Sequence, residues 1–146
     1  MPEKSFLPVL RELARAYQAF EAYSAAHVRT LGLTPSQFDI IATLGNTAGM
    51  SFKELGEKTL ITKGTLTGVV DRLEARNLVR RIASPSDGRS QIVQLTRQGE
   101  ALFDRVFPAH LSHVDKAFTA FSQPDLDEIK SVLGRLREAI TVANTN

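Results

Sequence analysis

Val79-Arg-Arg-Ile-Ala-Ser-Pro-Ser-Asp-Gly-Arg-Ser-Gln-Ile-Val-Gln-Leu-Thr96 contains two strand-like segments on either side of a Pro-Ser-Asp-Gly turn. Because Asp and Gly are common turn residues in hairpins, this pattern predicts a β-hairpin, with Arg89 just past its tip. Immediately upstream, a helix is predicted from roughly Lys63 to Arg76, capped by Thr62 and buried through Leu66, Val69, Val70 and Leu73. A helix followed at once by a basic hairpin is typical of a winged helix-turn-helix, whose helix enters the DNA major groove.

The segments before this helix predict the rest of a helix-turn-helix. A long helix is predicted from Ser5 to Thr30, and Gly32 is suited to end it in the left-handed conformation. Thr34-Pro-Ser-Gln37 and Ser51-Phe-Lys-Glu54 both have the spacing of a capping box, so each begins a further helix. Two short capped helices joined by three or four residues form a helix-turn-helix.

The outer helices carry apolar stripes that predict a homodimer. Thr96 is expected to cap a long helix to about Phe121, and Ser122 and Pro124 begin the last helix. That last helix has a narrow seam in steps of three and four residues, which favours packing on a partner chain over packing within one chain. The predicted interface combines this seam with apolar residues of the first helix: Leu126, Ile129, Leu133, Leu136, Ile140, Leu13, Tyr17 and Phe20.

The predicted fold class is therefore mainly α with a small β wing. Residues 1–33 form an N-terminal dimerisation helix, residues 34–96 the winged helix-turn-helix domain, and residues 97–146 the C-terminal dimerisation helices. With 146 residues, the chain is long enough to bury a core. It has no cysteine and no apolar run near the ~20 residues of a membrane span, so we expect a cytoplasmic protein without thiol chemistry.

Positive charge is concentrated where DNA contact is suspected. Lys53 to Arg97 contains nine basic and five acidic residues, a net charge of +4, whereas the whole chain carries only +2. Such a distribution favours double-stranded DNA as the partner. The residues expected to bind it are Thr62, Lys63, Thr65, Thr67, Arg72, Arg80, Arg81 and Arg89.

These residues have different expected roles. Lys63 and the threonines would contact phosphates or thymine methyl groups, and Arg72 a base edge or phosphate. Arg80 and Arg81, at the wing base, would contact phosphates, while Arg89 would enter the narrow minor groove. Asp87 would accept hydrogen bonds from a nearby arginine and fix the hairpin. Two glycines in the helix, at positions 64 and 68, permit either close approach of DNA or tight packing on the preceding helix.

Several runs resemble the MarR family of bacterial transcription regulators. They are Leu66-Thr-Gly-Val-Val-Asp-Arg-Leu-Glu74, Asn77-Leu-Val-Arg-Arg81, Pro85-Ser-Asp-Gly-Arg-Ser90 and Leu95-Thr-Arg-Gln-Gly99. The resemblance implies a winged-helix homodimer on palindromic promoter DNA, usually a repressor released by a ligand. By position, Arg89 resembles the wing arginine of the minor groove and Asp87 the acid that orients the wing through an arginine. Asn77 departs from the glycine common in the family, and the lack of cysteine excludes its thiol sensors.

Mainly on this resemblance, a small aromatic or apolar acid is expected to bind between the dimer region and the DNA-binding domain. Its expected pocket is lined by Tyr23, His27, Phe38, Ile41 and His110. His27, His110 and His113 also leave open a metal-responsive regulator of the same fold, although no metal site is predicted. A winged-helix module that binds protein is the other alternative. No cofactor is expected and no nucleophile or phosphate-loop motif is present, so an enzyme is not predicted.

Overall fold

A computed structural model describes residues 4–146 of the chain. One compact unit ends at Ser112, and a second runs from His113 to Asn146. The helices of the described part are α1 (Leu7–Thr30), α2 (Pro35–Leu44), α3 (Phe52–Lys58), α4 (Lys63–Ala75), α5 (Arg97–Asp115) and α6 (Gln123–Asn144). The strands are β1 (Met50–Ser51), β2 (Val79–Ala83) and β3 (Gln91–Leu95), and a 3₁₀ turn covers Lys116–Phe118. The mainly helical fold with a small wing is confirmed.

The predicted helix boundaries around the helix-turn-helix are confirmed by their caps. In α2, the Thr34 hydroxyl accepts the Gln37 N–H at 3.2 Å, and the Gln37 side chain accepts the Thr34 N–H at 3.1 Å. Ser51 and Glu54 form the same reciprocal pair at the start of α3. Gly32 follows α1 with φ +83°, as expected for the left-handed end of a helix.

The sheet has one strand more than the hairpin that was predicted. β2 and β3 pair antiparallel from Val79↔Leu95 to Ala83↔Gln91, which confirms the wing. β1 adds to the other edge of β3 through Met50↔Val93, so the strand order is β1-β3-β2. The short strand thereby fastens the wing to the segment that leads into α3.

The core lies beneath α4 and the inner face of the sheet. It includes Val28 of α1, Ile40, Ile41 and Leu44 of α2, Leu55 of α3, Leu66, Val69, Val70 and Leu73 of α4, and Val79 and Val93 of the sheet. Gly99 of α5 packs so closely that an added Cβ would lie 2.0 Å from the Leu78 carbonyl oxygen. These contacts fix α4 and the base of the wing in one packed domain.

The predicted helix from Thr96 to Phe121 is wrong beyond Asp115. α5 ends there, and the chain continues as the 3₁₀ turn. Residues 116–118 tighten into a 3₁₀ turn, as is common where an α-helix ends, and this shortens α5 relative to the prediction. Ser122 is then extended (φ −76°, ψ 167°) and exchanges capping bonds with Asp125 at the start of α6. These hydrogen bonds hold the pKa of the exposed Asp125 carboxyl below its ordinary value.

The apolar stripes of the two outer helices are largely uncovered. In α1, the side chains of Leu13, Tyr17 and Phe20 are exposed. In α6, no residue is buried; Ile129, Leu133 and Ile140 are exposed, and Leu126 and Leu136 are half-buried. Within residues 4–146, no helix has the length and apolar character needed to span a membrane.

Candidate nucleic-acid interface

Helix α4 presents a polar face away from the core. Its buried residues recur every three or four positions and therefore lie on one side of the helix. The other side exposes every candidate DNA-binding residue predicted on this helix: Lys63, Thr65, Thr67 and Arg72, with Thr62 exposed at the N-cap. The exposed face of α4 therefore carries hydroxyl and cationic side chains, while the opposite face is packed in the core.

Thr62 occupies the N-cap position but does not cap with its side chain. Its backbone has the extended conformation of an N-cap, while its hydroxyl donates to the Thr65 hydroxyl at 3.1 Å. The predicted side-chain cap is wrong because the two hydroxyls of one helical turn bind each other instead of a backbone N–H. Both hydroxyls remain at the exposed end of α4.

The two glycines of α4 are not packing sites. A Cβ at Gly64 would meet nothing within 4 Å, and one at Gly68 would meet only the tip of the Arg72 side chain at 3.9 Å. Tight packing on the preceding helix therefore does not explain them. Glycine costs about 1 kcal/mol relative to alanine inside a helix, and no packing contact around Gly68 offsets that cost.

A half-buried carboxylate fixes the turn that leads into α4. Asp39 of α2 accepts the backbone N–H of Leu60 at 2.9 Å. Burial raises the pKa of Asp39, because desolvation disfavours the charged form, and the Leu60 N–H partly offsets this effect. Sequence patterns did not indicate this contact, since Asp39 has the spacing of an ordinary polar helix residue.

The C-terminal end of α4 is fastened to the corner between α1 and α2. The Arg76 guanidinium donates to the Gly32 carbonyl at 3.3 Å and to the Gln37 side chain at 3.4 Å. Asn77 then adopts φ +60°, as expected of a residue that ends a helix in the left-handed conformation. Both ends of α4 are thus held by polar contacts to other elements, which keeps its exposed face in one orientation.

At the wing tip, Asp87 organises the backbone. One carboxylate oxygen accepts the Arg89 backbone N–H at 3.0 Å, and the other accepts the Ser90 hydroxyl at 3.2 Å. The expected hydrogen bond from an arginine thus comes from the Arg89 main chain rather than from a guanidinium. Within residues 4–146, the Arg89 guanidinium makes no hydrogen bond or ion pair and is exposed.

At the wing base, Arg80 and Arg81 lie on opposite faces of β2 because side chains alternate along a strand. Arg80 is exposed, and its Nε donates to the Gln94 side chain, whose amide donates to the Ala48 carbonyl at 3.2 Å. Arg81 instead turns inward and pairs with Asp71 of α4, so its side chain is only 23% exposed. This orientation differs from the open phosphate contact that was expected of Arg81.

Three of the five residues expected to line a ligand pocket are in contact. The His27 and His110 rings stack with 5.1 Å between centroids, their Nδ1 atoms lie 2.9 Å apart, and Phe38 meets His110 edge-on at 4.6 Å. His110 is 6% exposed, and its Nε2 lies 3.0 Å from the Ser24 hydroxyl, a contact that was not predicted. Ile41 is buried in the core and Tyr23 is half-buried.

These histidines do not form a metal cluster with other ligands. Among residues 4–146, no group of three or more His, Cys, Asp or Glu side chains is placed to hold a metal ion.

A helix-turn-helix with an exposed polar second helix, followed by a basic hairpin, defines a winged helix-turn-helix protein of the DNA-binding class. A model of the MarR family matches residues 31–90. The chain is 32% identical over 136 residues to the HTH-type transcriptional regulator MhqR of Bacillus subtilis, and the aligned residues cover 93% of each chain. It is also 27% identical over 134 residues to the homoprotocatechuate degradative operon repressor of Escherichia coli, covering 91% of this chain and 88% of the repressor.

A solved structure is similar over nearly the whole chain. It is that of Bordetella bronchiseptica BpsR, whose DNA binding is regulated by 6-hydroxynicotinic acid; the TM-score is 0.80 at 27% identity, covering 94% of this chain and 98% of that one. This chain belongs to the MarR family of transcription regulators. It is a DNA-binding protein of transcription regulation, and proteins of this family are transcription factors rather than enzymes. The comparisons favour this class over a winged-helix module that binds protein.

Proposed function

We propose that the protein is a repressor that binds specific promoter DNA through α4 and the wing. The observation that carries this proposal is the polar, glycine-containing face of α4 on the same domain as the unpaired Arg89 guanidinium of the described wing. In this proposal, α4 lies in the major groove and contacts DNA through Thr62, Lys63, Thr65, Thr67 and Arg72. Arg89 enters the minor groove and Arg80 binds a phosphate at the wing base.

Asp87 supports this arrangement without contacting DNA. By accepting the Arg89 N–H and the Ser90 hydroxyl, it fixes the backbone from which the Arg89 side chain extends. A flexible tip would have to be ordered when DNA binds, at a cost in affinity. The role of Asp87 in orienting the wing is therefore proposed to act through the main chain.

The DNA experiment selects a binding site from a pool of random duplexes and measures affinity for it over a range of salt concentrations. Arg89→Ala should weaken binding to the selected duplex strongly, because a cation in the narrow minor groove is lost. Arg97→Ala, which removes an exposed arginine beyond the wing at the start of α5, is the matched control. Equal affinities of wild-type protein and Arg89→Ala would contradict the proposed wing contact.

We also propose a homodimer on palindromic sites, assembled through residues 1–33 and 97–146. The uncovered apolar stripe that each of the helices α1 and α6 carries supports it, because large exposed apolar surfaces are typical of association sites. Two copies would then read half-sites about one helical turn, ~34 Å, or a multiple of it apart. Sedimentation should give the mass of a dimer at micromolar concentration without DNA; a monomer would contradict this assembly.

The effector is proposed to be a small aromatic or apolar acid bound at the cluster of Ser24, His27, Phe38 and His110. The stacked His27 and His110 rings and the edge-on Phe38 ring bring three aromatic side chains together, which suits the ring of an aromatic ligand. The relatives support this class of ligand, since BpsR responds to 6-hydroxynicotinic acid and the Escherichia coli relative is a homoprotocatechuate degradative operon repressor. The ligand would release DNA only by binding more tightly to a form that cannot hold both half-sites.

The effector experiment titrates the protein–duplex complex with 6-hydroxynicotinic acid and benzoate, with benzamide as the uncharged control. The acids should lower DNA affinity and benzamide should not, and His27→Gln should weaken the response to the acids. Unchanged DNA affinity with every acid tested would contradict this site as an effector site.

A further inference from the structure

Arg81 connects the wing to two helices of the DNA-binding domain. Its guanidinium pairs with the Asp71 carboxylate of α4. The guanidinium carbon lies 5.4 Å from the centre of the Phe52 ring, at the first residue of α3, in cation–π geometry. One strand residue thus contacts the helix proposed to enter the major groove and the helix that precedes it.

The position of the wing tip depends on this contact, because Arg81 and the tip belong to the same hairpin. Arg81 pairs with Val93 in the ladder, and Arg89 lies beyond the end of that ladder. A change in the angle between β2 and α4 would therefore move Arg89 relative to the exposed face of α4. We infer that Arg81 is a positioning residue that holds the wing at a fixed angle to α4, and not a phosphate contact.

Stability alone is a poor explanation for this arrangement. The Arg81 Nε–H is buried and has no hydrogen-bond partner among the described residues, which disfavours a guanidinium at this place. The Asp71 side chain is 56% exposed, and ion pairs that reach solvent add little stability. Methionine has a similar length and is apolar, so Arg81→Met should fold and unfold at a denaturant midpoint close to that of wild-type protein.

The first test uses the protein without DNA and follows hydrogen exchange in the wing. In Arg81→Met, amides of residues 79–95 should exchange faster, with the core of α4 unchanged, because the wing is no longer held on the helix. Arg97→Met, at an exposed arginine outside the wing at the start of α5, is the matched control and should leave exchange of the wing unaltered. Equal exchange in wild-type protein and Arg81→Met would overturn the inference.

The second test rests on the proposed role of the wing and combines Arg81→Met with Arg89→Ala on the selected duplex. If Arg81 acts through the wing, Arg81→Met weakens binding about tenfold, and adding Arg89→Ala then costs much less than it does in wild-type protein. The dependence of affinity on salt should stay steeper in Arg81→Met than in Arg80→Met, because only Arg80 is expected to neutralise a phosphate.

Two results would overturn the positioning role. They are a salt dependence that falls by about one unit in Arg81→Met, as for a lost phosphate contact, and full additivity of the two substitutions. If Arg89→Ala costs nothing in wild-type protein, the proposed wing contact fails. Hydrogen exchange then decides the role of Arg81 independently of that contact.

Discussion

Gly68→Ala should make the protein more stable and its DNA binding weaker. Gly68 lies in the interior of α4, and an added Cβ would meet only the Arg72 side-chain tip, at an ordinary contact distance of 3.9 Å. Nothing within the domain therefore opposes the methyl group. Alanine is favoured over glycine inside a helix by about 1 kcal/mol, which corresponds to a rise in unfolding temperature of about 2–4 °C.

The expected effect on DNA binding has the opposite sign. A methyl group on the exposed face of α4 would keep the helix from approaching the groove and would displace contacts of neighbouring side chains. Loss of one good base contact costs about 1–3 kcal/mol, so affinity for the selected duplex should fall roughly fivefold to 150-fold.

Gly134→Ala is the matched control. Gly134 lies in the interior of α6, and an added Cβ there would also meet nothing within 4 Å. Thermal unfolding should show a similar stabilisation of both variants. Fluorescence anisotropy with the selected duplex should show weaker DNA binding for Gly68→Ala only. Wild-type DNA affinity in a stabilised Gly68→Ala protein would refute close approach of DNA to α4, and destabilisation would refute the open space around Gly68.

Three further substitutions separate electrostatic from structural roles. Lys63→Ala should weaken binding to all duplexes alike and lower the salt slope by about one unit, which a salt titration measures; an unchanged slope would contradict a phosphate contact. Asp87→Ala should weaken binding although it removes a negative charge, because the tip loses its order; tighter binding in the same titration would contradict its orienting role. For Asp39, the raised folded-state pKa means that this residue's own contribution to stability falls as pH rises from the ordinary value of 3.8 through the folded-state pKa. Asp39→Asn keeps an oxygen acceptor and does not titrate, so it lacks this loss. Its denaturant midpoint minus that of wild-type protein should therefore increase from acid to neutral pH. If this difference between the midpoints is the same at every pH, burial does not act on Asp39 as stated.

Local sequence signals predicted much of the fold, because the interactions that begin helices and turns join residues close together in the sequence. Capping boxes at Thr34 and Ser51 satisfy backbone N–H groups within one turn, so residue types and spacing are enough to place those helix starts. The Asp-Gly turn and the β-rich segments beside it likewise predicted the β2–β3 hairpin. The two-residue strand β1 carries no such signal, since it exists only through its pairing with Ile92 and Val93 of β3.

The site was harder to predict where distant residues decide the outcome. Arg80 and Arg81 have the same chemistry in sequence, and strand alternation assigns them to opposite faces only once the partner of each face is known. Asp71 and Phe52 come from two helices, so no spacing along the chain indicates that they hold Arg81. The contact of Ser24 with His110 joins residues 86 positions apart, which periodicity within one helix cannot reveal.

The crystal structure of the protein bound to its selected duplex tests the central claim most directly. We expect the face of α4 with Gly64 and Gly68 to lie in the major groove and the Arg89 guanidinium to lie in the adjacent minor groove. DNA bound to another surface, or a wing tip directed away from the duplex, would contradict the account.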